Sequence, residues 1–237
     1  MFLLLSGEGV SDIGTQSHEI GPMTKFVDTW IARRSGYSII DIDQYMIVAE
    51  STLSDKAKSI KSLSRKGKRQ SIETRYFYKN ARALALFAKE ENQKRNLPII
   101  SILFRDADGT VNSDRGEWEQ KRNSMLKGFE DEEVSYGVPM IPKPKSEAWL
   151  LCALRNDYQS CEKIENESGN DKSPNALKKQ LEEHLGKPST RIFLNEQIDQ
   201  GKLDINKIID MPSLTAFKSR LDEVLDEILP SQYKNRH

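Results

Sequence analysis

The sequence of 237 residues has few of the side chains that form soft-metal and nucleophilic sites, namely two cysteines and three histidines. Cys152 and Cys161 have no Cys or His partner at the spacing of zinc ligands. The histidines are scattered at His18, His184 and His237, and no P-loop or Ser-His-Asp pattern accompanies them. A zinc site and a Ser-His-Asp hydrolase are therefore not indicated. We expect both cysteines to be reduced thiols in a cytosolic protein.

The chain also lacks a net charge and a long apolar run. Lys+Arg and Asp+Glu both number 36, so whole-chain electrostatics do not favour any one partner, and only local patches can. The start, MFLLLSGEG, is apolar over Phe2–Leu5 only, which is too short for a signal peptide or a membrane helix. We therefore expect a soluble, cytoplasmic protein that does not engage a membrane.

Apolar runs that predict strands alternate with helical patterns from residue 1 to about residue 154. The predicted strands are Phe2–Leu5, Tyr37–Ile42, Ile99–Phe104 and Tyr136–Ile141. The predicted helices are 22–35, 73–95, 114–131 and 146–154. Pro22 is the start signal and Gly36 the stop signal of the first helix. This alternation predicts an α/β fold, with a Rossmann-like parallel sheet flanked by helices.

The chain changes character after about residue 155. We predict one domain over residues 1–155 and a charged, helical C-terminal region over residues 156–237. A helix is predicted to begin at Ser173-Pro174 and to end at Gly186. An amphipathic last helix over residues 213–229 is expected to pack on its own domain.

Acidic residues follow two of the predicted strands. Glu8 comes after the first strand, between two glycines, and Asp106 and Asp108 come directly after the third. Ligands of parallel sheets bind beyond the carboxyl ends of the strands, so these side chains should meet. Carboxylates at i and i+2 repel each other unless a cation lies between them, and oxygen ligands favour Mg²⁺ or Mn²⁺. Asp12 is close enough to Glu8 to join a second ion, while ordinary polar turns are the alternative for all four acids.

A third motif, Pro142-Lys143-Pro144-Lys145-Ser146-Glu147, precedes a predicted helix. As local structure, Ser146 is a natural N-cap and Glu147 suits the positive end of the helix dipole. As function, Glu147 adds a carboxylate to the acidic cluster, and Lys145, or alternatively Lys143, faces a phosphate. Both interpretations are open at this point.

A basic stretch over residues 54–70 is the fourth motif. The residues that we expect to contact nucleic acid, with Lys143 from the motif above, are Lys61, Arg65, Lys66, Lys68 and Arg69. Binding through such side chains would fall steeply with salt. A solvated loop is the alternative, because charge runs are commonly solvated.

The acidic motifs resemble those of the Toprim domain, which occurs in topoisomerases, primases and nucleases of the OLD family. The resemblance rests on Ser6-Gly7-Glu8-Gly9-Val10-Ser11-Asp12 and on Leu103-Phe104-Arg105-Asp106-Ala107-Asp108-Gly109. The segment from Met140 to Leu151 is similar to stand-alone Toprim proteins of bacterial defence loci, among them the toxin subunit of the PARIS anti-phage system. The resemblance covers about residues 1–155. The stretch of about 44–97 is long for a Toprim core and is expected to be a helical insertion.

The resemblance implies a nuclease that uses two Mg²⁺ or Mn²⁺ ions. The implied metal ligands are Glu8, Asp12, Asp106, Asp108 and Glu147. The implied catalytic residues are Glu8, Asp106, Asp108 and Lys145. Defence proteins of this kind act on nucleic acid, with tRNA as the target class and DNA as the other candidate. An ABC-type ATPase partner that restrains the toxin, and a homodimer, are further expectations.

Two other function classes are open. Asp106-Ala-Asp108-Gly-Thr-Val also resembles the first motif of haloacid-dehalogenase-type phosphatases, in which Asp106 would be the nucleophile and Asp108 the acid/base. That motif normally opens its domain, whereas here a strand-helix-strand unit precedes it, and Glu8 would have no role. The third class is a non-enzymatic nucleic-acid-binding module, whose working surface would be the basic stretch.

Overall fold

A computed structural model describes residues 1–15, 19–60, 72–107, 115–154 and 161–230 of the chain. The strands within these residues are β1 (Phe2–Gly7), β2 (Tyr45–Val48), β3 (Ile99–Phe104) and β4 (Gly137–Met140). They form one sheet in the order β2-β1-β3-β4, and every neighbouring pair is parallel. The helices are α1 (Val10–Ile13), α2 (Pro22–Ser35), α3 (Glu50–Ser59), α4 (Ile72–Arg95), α5 (Arg115–Asp131), α6 (Ser146–Ala153), α7 (Cys161–Ile164), α8 (Leu177–Leu185), α9 (Arg191–Asp199) and α10 (Pro212–Ile228), with a 3₁₀ turn at Ile205–Lys207. The predicted α/β fold, a parallel sheet flanked by helices, is confirmed.

The two central strands are apolar because both of their faces are covered. Every residue of β1 and of β3 is buried. Successive side chains of a strand point to opposite faces, so Leu3 and Leu5 enter one core cluster while Phe2 and Leu4 enter the other. The first cluster includes residues of α2, α6 and α10, and the second includes residues of α3, α4 and α5. Helices therefore lie on both faces of the sheet.

The second strand does not lie where the sequence predicted it. Tyr37–Ile42 forms turns, and the strand beside β1 is Tyr45–Val48. The carboxylate of Asp28 in α2 holds the turn, because its Oδ1 accepts the backbone N–H groups of Ile39 at 2.7 Å and Ile40 at 3.2 Å. The prediction was wrong because β-branched residues favour strands only where a neighbouring strand can pair with them.

The stretch that we expected to be an insertion contains elements of the core. β2 and α4 both fall within residues 44–97, and β2 is an integral strand of the sheet. On α4, Ala81, Leu84 and Ala88 are buried in the cluster that covers one face of β1 and β3. Much of this stretch is therefore the ordinary crossover between β2 and β3, since parallel strands require a helical connection.

The described residues of the C-terminal region form helices joined by turns, and they share the core of the sheet. Phe217, Leu221 and Leu225 of α10 belong to the same buried cluster as β1, β3 and β4. The prediction that the last helix packs on its own domain is therefore confirmed. The helix expected from Ser173 begins later, at Leu177, and ends at Gly186 as predicted, where a positive φ of 65° suits glycine.

The cysteines differ from the expectation of two reduced thiols. Cys152, near the end of α6, and Cys161, the first residue of α7, form a disulfide with Cα atoms 5.8 Å apart. That prediction was wrong for this structure because the two helix ends lie side by side, which a sequence separation of 9 does not reveal. Separately, none of the helices among the described residues has the length and apolar character needed to cross a bilayer.

Candidate active site

The site lies where β1 and β3 end together. The strands pair in register with Gly7 opposite Phe104, and the N–H of Glu8 donates to the carbonyl of Phe104 at 3.4 Å. A Cβ atom at Gly7 would lie 2.3 Å from that carbonyl oxygen, so a glycine is needed for this close approach of the two backbones. Glu8 and Asp106 thus leave the same edge of the sheet, as the sequence predicted.

The turn after β1 directs Asp12 back toward the strand ends. Gly9 has φ of 83° and precedes α1, which carries Asp12. A Cβ atom at Gly9 would lie 2.7 Å from Oδ2 of Asp12, and the hydroxyl of Ser11 donates to the same oxygen at 3.1 Å. The glycine at position 9 therefore allows the tight turn that brings Asp12 within hydrogen-bond distance of Ser146.

Ser146 joins three of the predicted acids. Its backbone N–H donates to Oδ1 of Asp106 at 2.9 Å, and its hydroxyl donates to Oδ1 of Asp12 at 2.7 Å. The same hydroxyl lies 3.4 Å from Oε2 of Glu147. Acids from the loop after β1, from the end of β3 and from the start of α6 are therefore neighbours, although 134 and 40 positions separate Ser146 from the first two.

The role of Ser146 differs from the expected one. It is the first residue of α6 rather than its N-cap, which is Lys145, and no side chain of the cap position accepts a hydrogen bond. Asp106, from a distant part of the chain, caps the helix instead, because its carboxylate accepts the N–H of Ser146 in the first turn. The positive end of the helix dipole therefore faces the acidic cluster.

Lys145 lies beside the cluster and is itself paired. Its Nζ donates to Oδ1 of Asp171 at 2.6 Å and lies 3.8 Å from Oε2 of Glu147. Only 7% of Lys145 is exposed, so its charge acts on these neighbours through little solvent. Asp171, and Lys178 of α8, whose charge acts on Asp12, had no signal in the sequence, because they come from the C-terminal region.

Glu8 belongs to a second group that the sequence did not predict. Oε2 of Glu8 lies 3.2 Å from the guanidinium of Arg105, which also lies 3.1 Å from Oε1 of Glu50. The guanidinium packs 4.2 Å from the ring centre of Tyr76. Arg105 is buried whereas the side chain of Glu8 is 55% exposed. The position of Arg105 next to Asp106 was the one available clue to its place in the site.

Burial raises the pKa of Asp12 and of Glu147, because the ionised form loses solvent. For Asp12, hydrogen bonds from Ser146 and Ser11 and the charge of Lys145 oppose the effect of burial. For Glu147, Lys145 opposes it, while the charge of Asp12 adds to it. Burial therefore makes both carboxylates costly to ionise, and the charge of Asp12 adds to that cost at Glu147.

These raised pKa values predict how stability depends on pH without metal. A carboxyl with a raised pKa binds its proton more tightly in the folded state, so stability falls as pH rises from the ordinary values of 3.8 for Asp12 and 4.5 for Glu147 through the raised ones. We expect Glu147→Gln to raise the free energy of unfolding at neutral pH in EDTA, and this gain to shrink as pH falls below the raised pKa. Urea denaturation at a series of pH values from below the ordinary pKa values to neutral pH measures this difference in the free energy of unfolding.

The exposed Glu183 on α8 provides the control, because Glu183→Gln removes the same charge from a solvated position. This control variant should shift stability by less than about 0.5 kcal/mol at any pH in the series. A Glu147→Gln protein less stable than wild type at neutral pH would show that Lys145 stabilises the ionised carboxylate by more than its burial costs.

The donor chemistry of the cluster fits Mg²⁺ or Mn²⁺. Asp12, Asp106, Glu147 and Glu8 offer carboxylate oxygens only, which hard divalent cations prefer. Among the described residues, however, the one set of three groups with ligand atoms within 4.8 Å of one another is Cys152, Cys161 and Asp210. The acids are thus arranged around Ser146 and Arg105, with hydrogen bonds and ion pairs occupying oxygens that a cation would take.

Several predicted residues lie outside the described part of the chain. These are Asp108 and the residues Lys61, Arg65, Lys66, Lys68 and Arg69 of the basic stretch. Lys143 is described and is 8% exposed, and its charge partly opposes the burial that raises the pKa of the nearby Glu165. Lys143 and Lys145 are thus buried to the same extent, at 8% and 7% exposed.

Comparisons of the chain with models of protein families, with curated proteins and with solved structures find no match.

Proposed function

We propose that the chain is a metal-dependent nuclease that hydrolyses phosphodiester bonds of nucleic acid. The observation that carries the proposal is the convergence of Asp12, Asp106 and Glu147 on Ser146, at the sheet edge where Glu8 also emerges. Acids from three separate segments lie together there, and burial makes two of them costly to ionise. A cation at this edge would offset that cost.

The proposed metal ligands are the carboxylates named above together with Asp108. We propose two ions of Mg²⁺ or Mn²⁺, which when bound would supply Lewis acidity toward a water molecule and toward the oxygens of the phosphate. Binding would require the Ser146 hydroxyl and the guanidinium of Arg105 to yield their present partners. In the described contacts, Asp12 and Glu8 are held by side chains and not by backbone groups, so a change of their own rotamers would release both carboxylates.

The other side chains divide between proton transfer and charge. Glu8 is half exposed, so it is accessible to a water molecule and can take a proton from it. Lys145 brings a buried positive charge next to the acids, which counters charge that grows on a phosphate during attack. Arg105 orients Glu8 and balances its charge.

We further propose that the target is RNA of the tRNA class and that the protein is a defence effector. Anti-phage toxins whose acidic motifs resemble those of this chain act on tRNA. DNA is the alternative target. The basic stretch would follow the phosphate backbone, so cleavage should weaken as salt rises. Restraint by an ABC-type ATPase, and self-association, belong to the same proposal.

The test compares Glu8→Gln with Glu50→Gln, because both substitutions remove one ion pair of Arg105. The purified full-length variants are incubated with Mg²⁺ and with tRNA, single-stranded DNA or duplex DNA, and the product ends are sequenced. Glu8→Gln should lose at least about 100-fold in rate, since a general base contributes about 10²–10⁴-fold. Glu50→Gln should lose less than about fivefold, the effect of one exposed ion pair.

Undiminished cleavage by Glu8→Gln would reject the proposal. The phosphatase alternative gives a different pattern, because Asp106 would then act without Glu8. A Glu8→Gln protein that hydrolyses a generic phosphomonoester as fast as wild type, with no cleavage of any nucleic acid, would establish that alternative.

A further inference from the structure

A cluster of two sulfur atoms and a carboxylate lies outside the acidic site. The Sγ atoms of Cys152 and Cys161 and a carboxylate oxygen of Asp210 all lie within 4.8 Å of one another. They come from the end of α6, the start of α7 and the segment that precedes α10. Both cysteines are fully buried, and Asp210 is partly buried.

Asp210 has one oxygen that the disulfide state leaves unsatisfied. Its Oδ2 accepts the backbone N–H of Cys161 at 3.3 Å, which orients the carboxylate toward the cysteines. Its Oδ1 is buried and has no hydrogen-bond partner among the described residues. A disulfide carries no hydrogen and cannot donate to this oxygen, and a buried carboxylate oxygen without a partner is costly.

We propose that this cluster is a redox-dependent site for a thiophilic divalent cation of the Zn²⁺ class. Two electrons and two protons from a thiol reductant, which itself becomes a disulfide, convert Cys152 and Cys161 into thiols. The cation then binds both thiolates and the free oxygen of Asp210, and the two thiol protons pass to solvent. The disulfide and the metal link exclude each other, because both use the same sulfur atoms.

The ligand set distinguishes this site from the acidic one. Two thiolates and one carboxylate oxygen suit a borderline-soft cation, whereas Mg²⁺ prefers oxygen ligands alone. Three ligands leave the fourth tetrahedral position to a water molecule. In the reduced chain, the cation would join α6, which carries Ser146 and Glu147, to α7 in place of the disulfide, and it would also bind the segment before α10 through Asp210. A cross-link between α6 and α7 would then persist under reducing conditions.

The test uses the full-length chain, reduced with a phosphine and titrated with Co²⁺ as the spectroscopic probe. Thiolate ligands give Co²⁺ an intense charge-transfer band that carboxylates do not, so binding at the acidic site does not register. We expect a band that saturates at about one ion per chain, that Zn²⁺ abolishes, and that is absent before reduction. Asp210→Asn should weaken binding at least about tenfold.

Asp204→Asn is the matched control, because Asp204 lies in the same region and also accepts a backbone N–H, from Asn206 at 3.0 Å. This control should bind Co²⁺ as tightly as wild type. The Asn side chain at position 210 can still accept the N–H of Cys161, which favours folding of that variant. Absence of the thiolate band in reduced wild type would overturn the proposal without reference to any variant, as would equal affinity in Asp210→Asn.

Discussion

Asp106→Asn should abolish nucleic-acid cleavage, with a loss of at least about 1,000-fold in rate. The substitution removes a negative charge and a proposed metal ligand from the cluster, and a bound metal ion contributes several kcal/mol to the stabilisation of charge in the transition state. Each 1.4 kcal/mol corresponds to about tenfold in rate. The rate of cleavage under single-turnover conditions, with Mg²⁺ in excess, measures the effect.

The fold should survive this change. Oδ1 of an asparagine can still accept the N–H of Ser146, so the start of α6 keeps its hydrogen bond to the end of β3. Asp28→Asn is the matched control, because Asp28 also accepts backbone N–H groups, from Ile39 and Ile40, in a different part of the fold. Asp28→Asn should cleave at the wild-type rate.

Mg²⁺ should also raise the melting temperature of wild type and not that of Asp106→Asn. A ligand that binds only the folded state stabilises it by mass action, by about 2.7 kcal/mol at 100 times its Kd. A wild-type melting temperature that is constant across a Mg²⁺ titration would contradict the metal site. Cleavage by Asp106→Asn at the wild-type rate would contradict the nuclease proposal as a whole.

Trp149→Ala should reduce the free energy of unfolding by about 3–5 kcal/mol, the usual effect of truncating a large buried aromatic residue. Trp149 lies on α6 and has no exposed surface. Its ring centre is 5.7 Å from that of Phe217 on α10, and its Nε1 donates to the hydroxyl of Ser213 at 2.8 Å. The tryptophan therefore fastens the helix that bears Ser146 to the C-terminal helix.

Trp149→Phe separates the two contributions of this residue. It keeps an aromatic ring against Phe217 but removes the N–H, so we expect a loss of about 1–2 kcal/mol. Ile192→Ala is the control, because Ile192 is an apolar residue that is 69% exposed, and it should lose less than about 0.5 kcal/mol. Urea denaturation followed by circular dichroism gives all three values.

The shape of the same unfolding curve tests the shared core. Residues of the sheet and residues of α10 belong to one buried cluster, so one cooperative transition is expected. Two separate transitions, with only one of them shifted by Trp149→Ala, would show that the C-terminal helices unfold independently of the sheet.

The sequence alone was sufficient for the elements that a local pattern determines. β1 and β3 were predicted because strands buried on both faces are continuous apolar runs, and their carboxyl ends located Glu8 and Asp106. The apolar stripe of α10 likewise predicted its buried face. β2 was predicted in the wrong place because Asp28 accepts the N–H groups of residues 39 and 40 and holds them in a turn. These hydrogen bonds depend on how α2 packs against the turn, which the composition of residues 37–42 does not reveal.

Only the tertiary structure decided which side chains meet. The acids that the sequence placed near the sheet edge converge on Ser146, Glu8 pairs with Arg105, and Asp171 pairs with Lys145. Cys152, Cys161 and Asp210 meet in the same way, from three segments. Hydrophobic periodicity records which face of an element is buried, but it carries no information on the partner. Which side chains become partners is determined when distant segments pack together. Burial then requires each polar group to form a hydrogen bond or an ion pair.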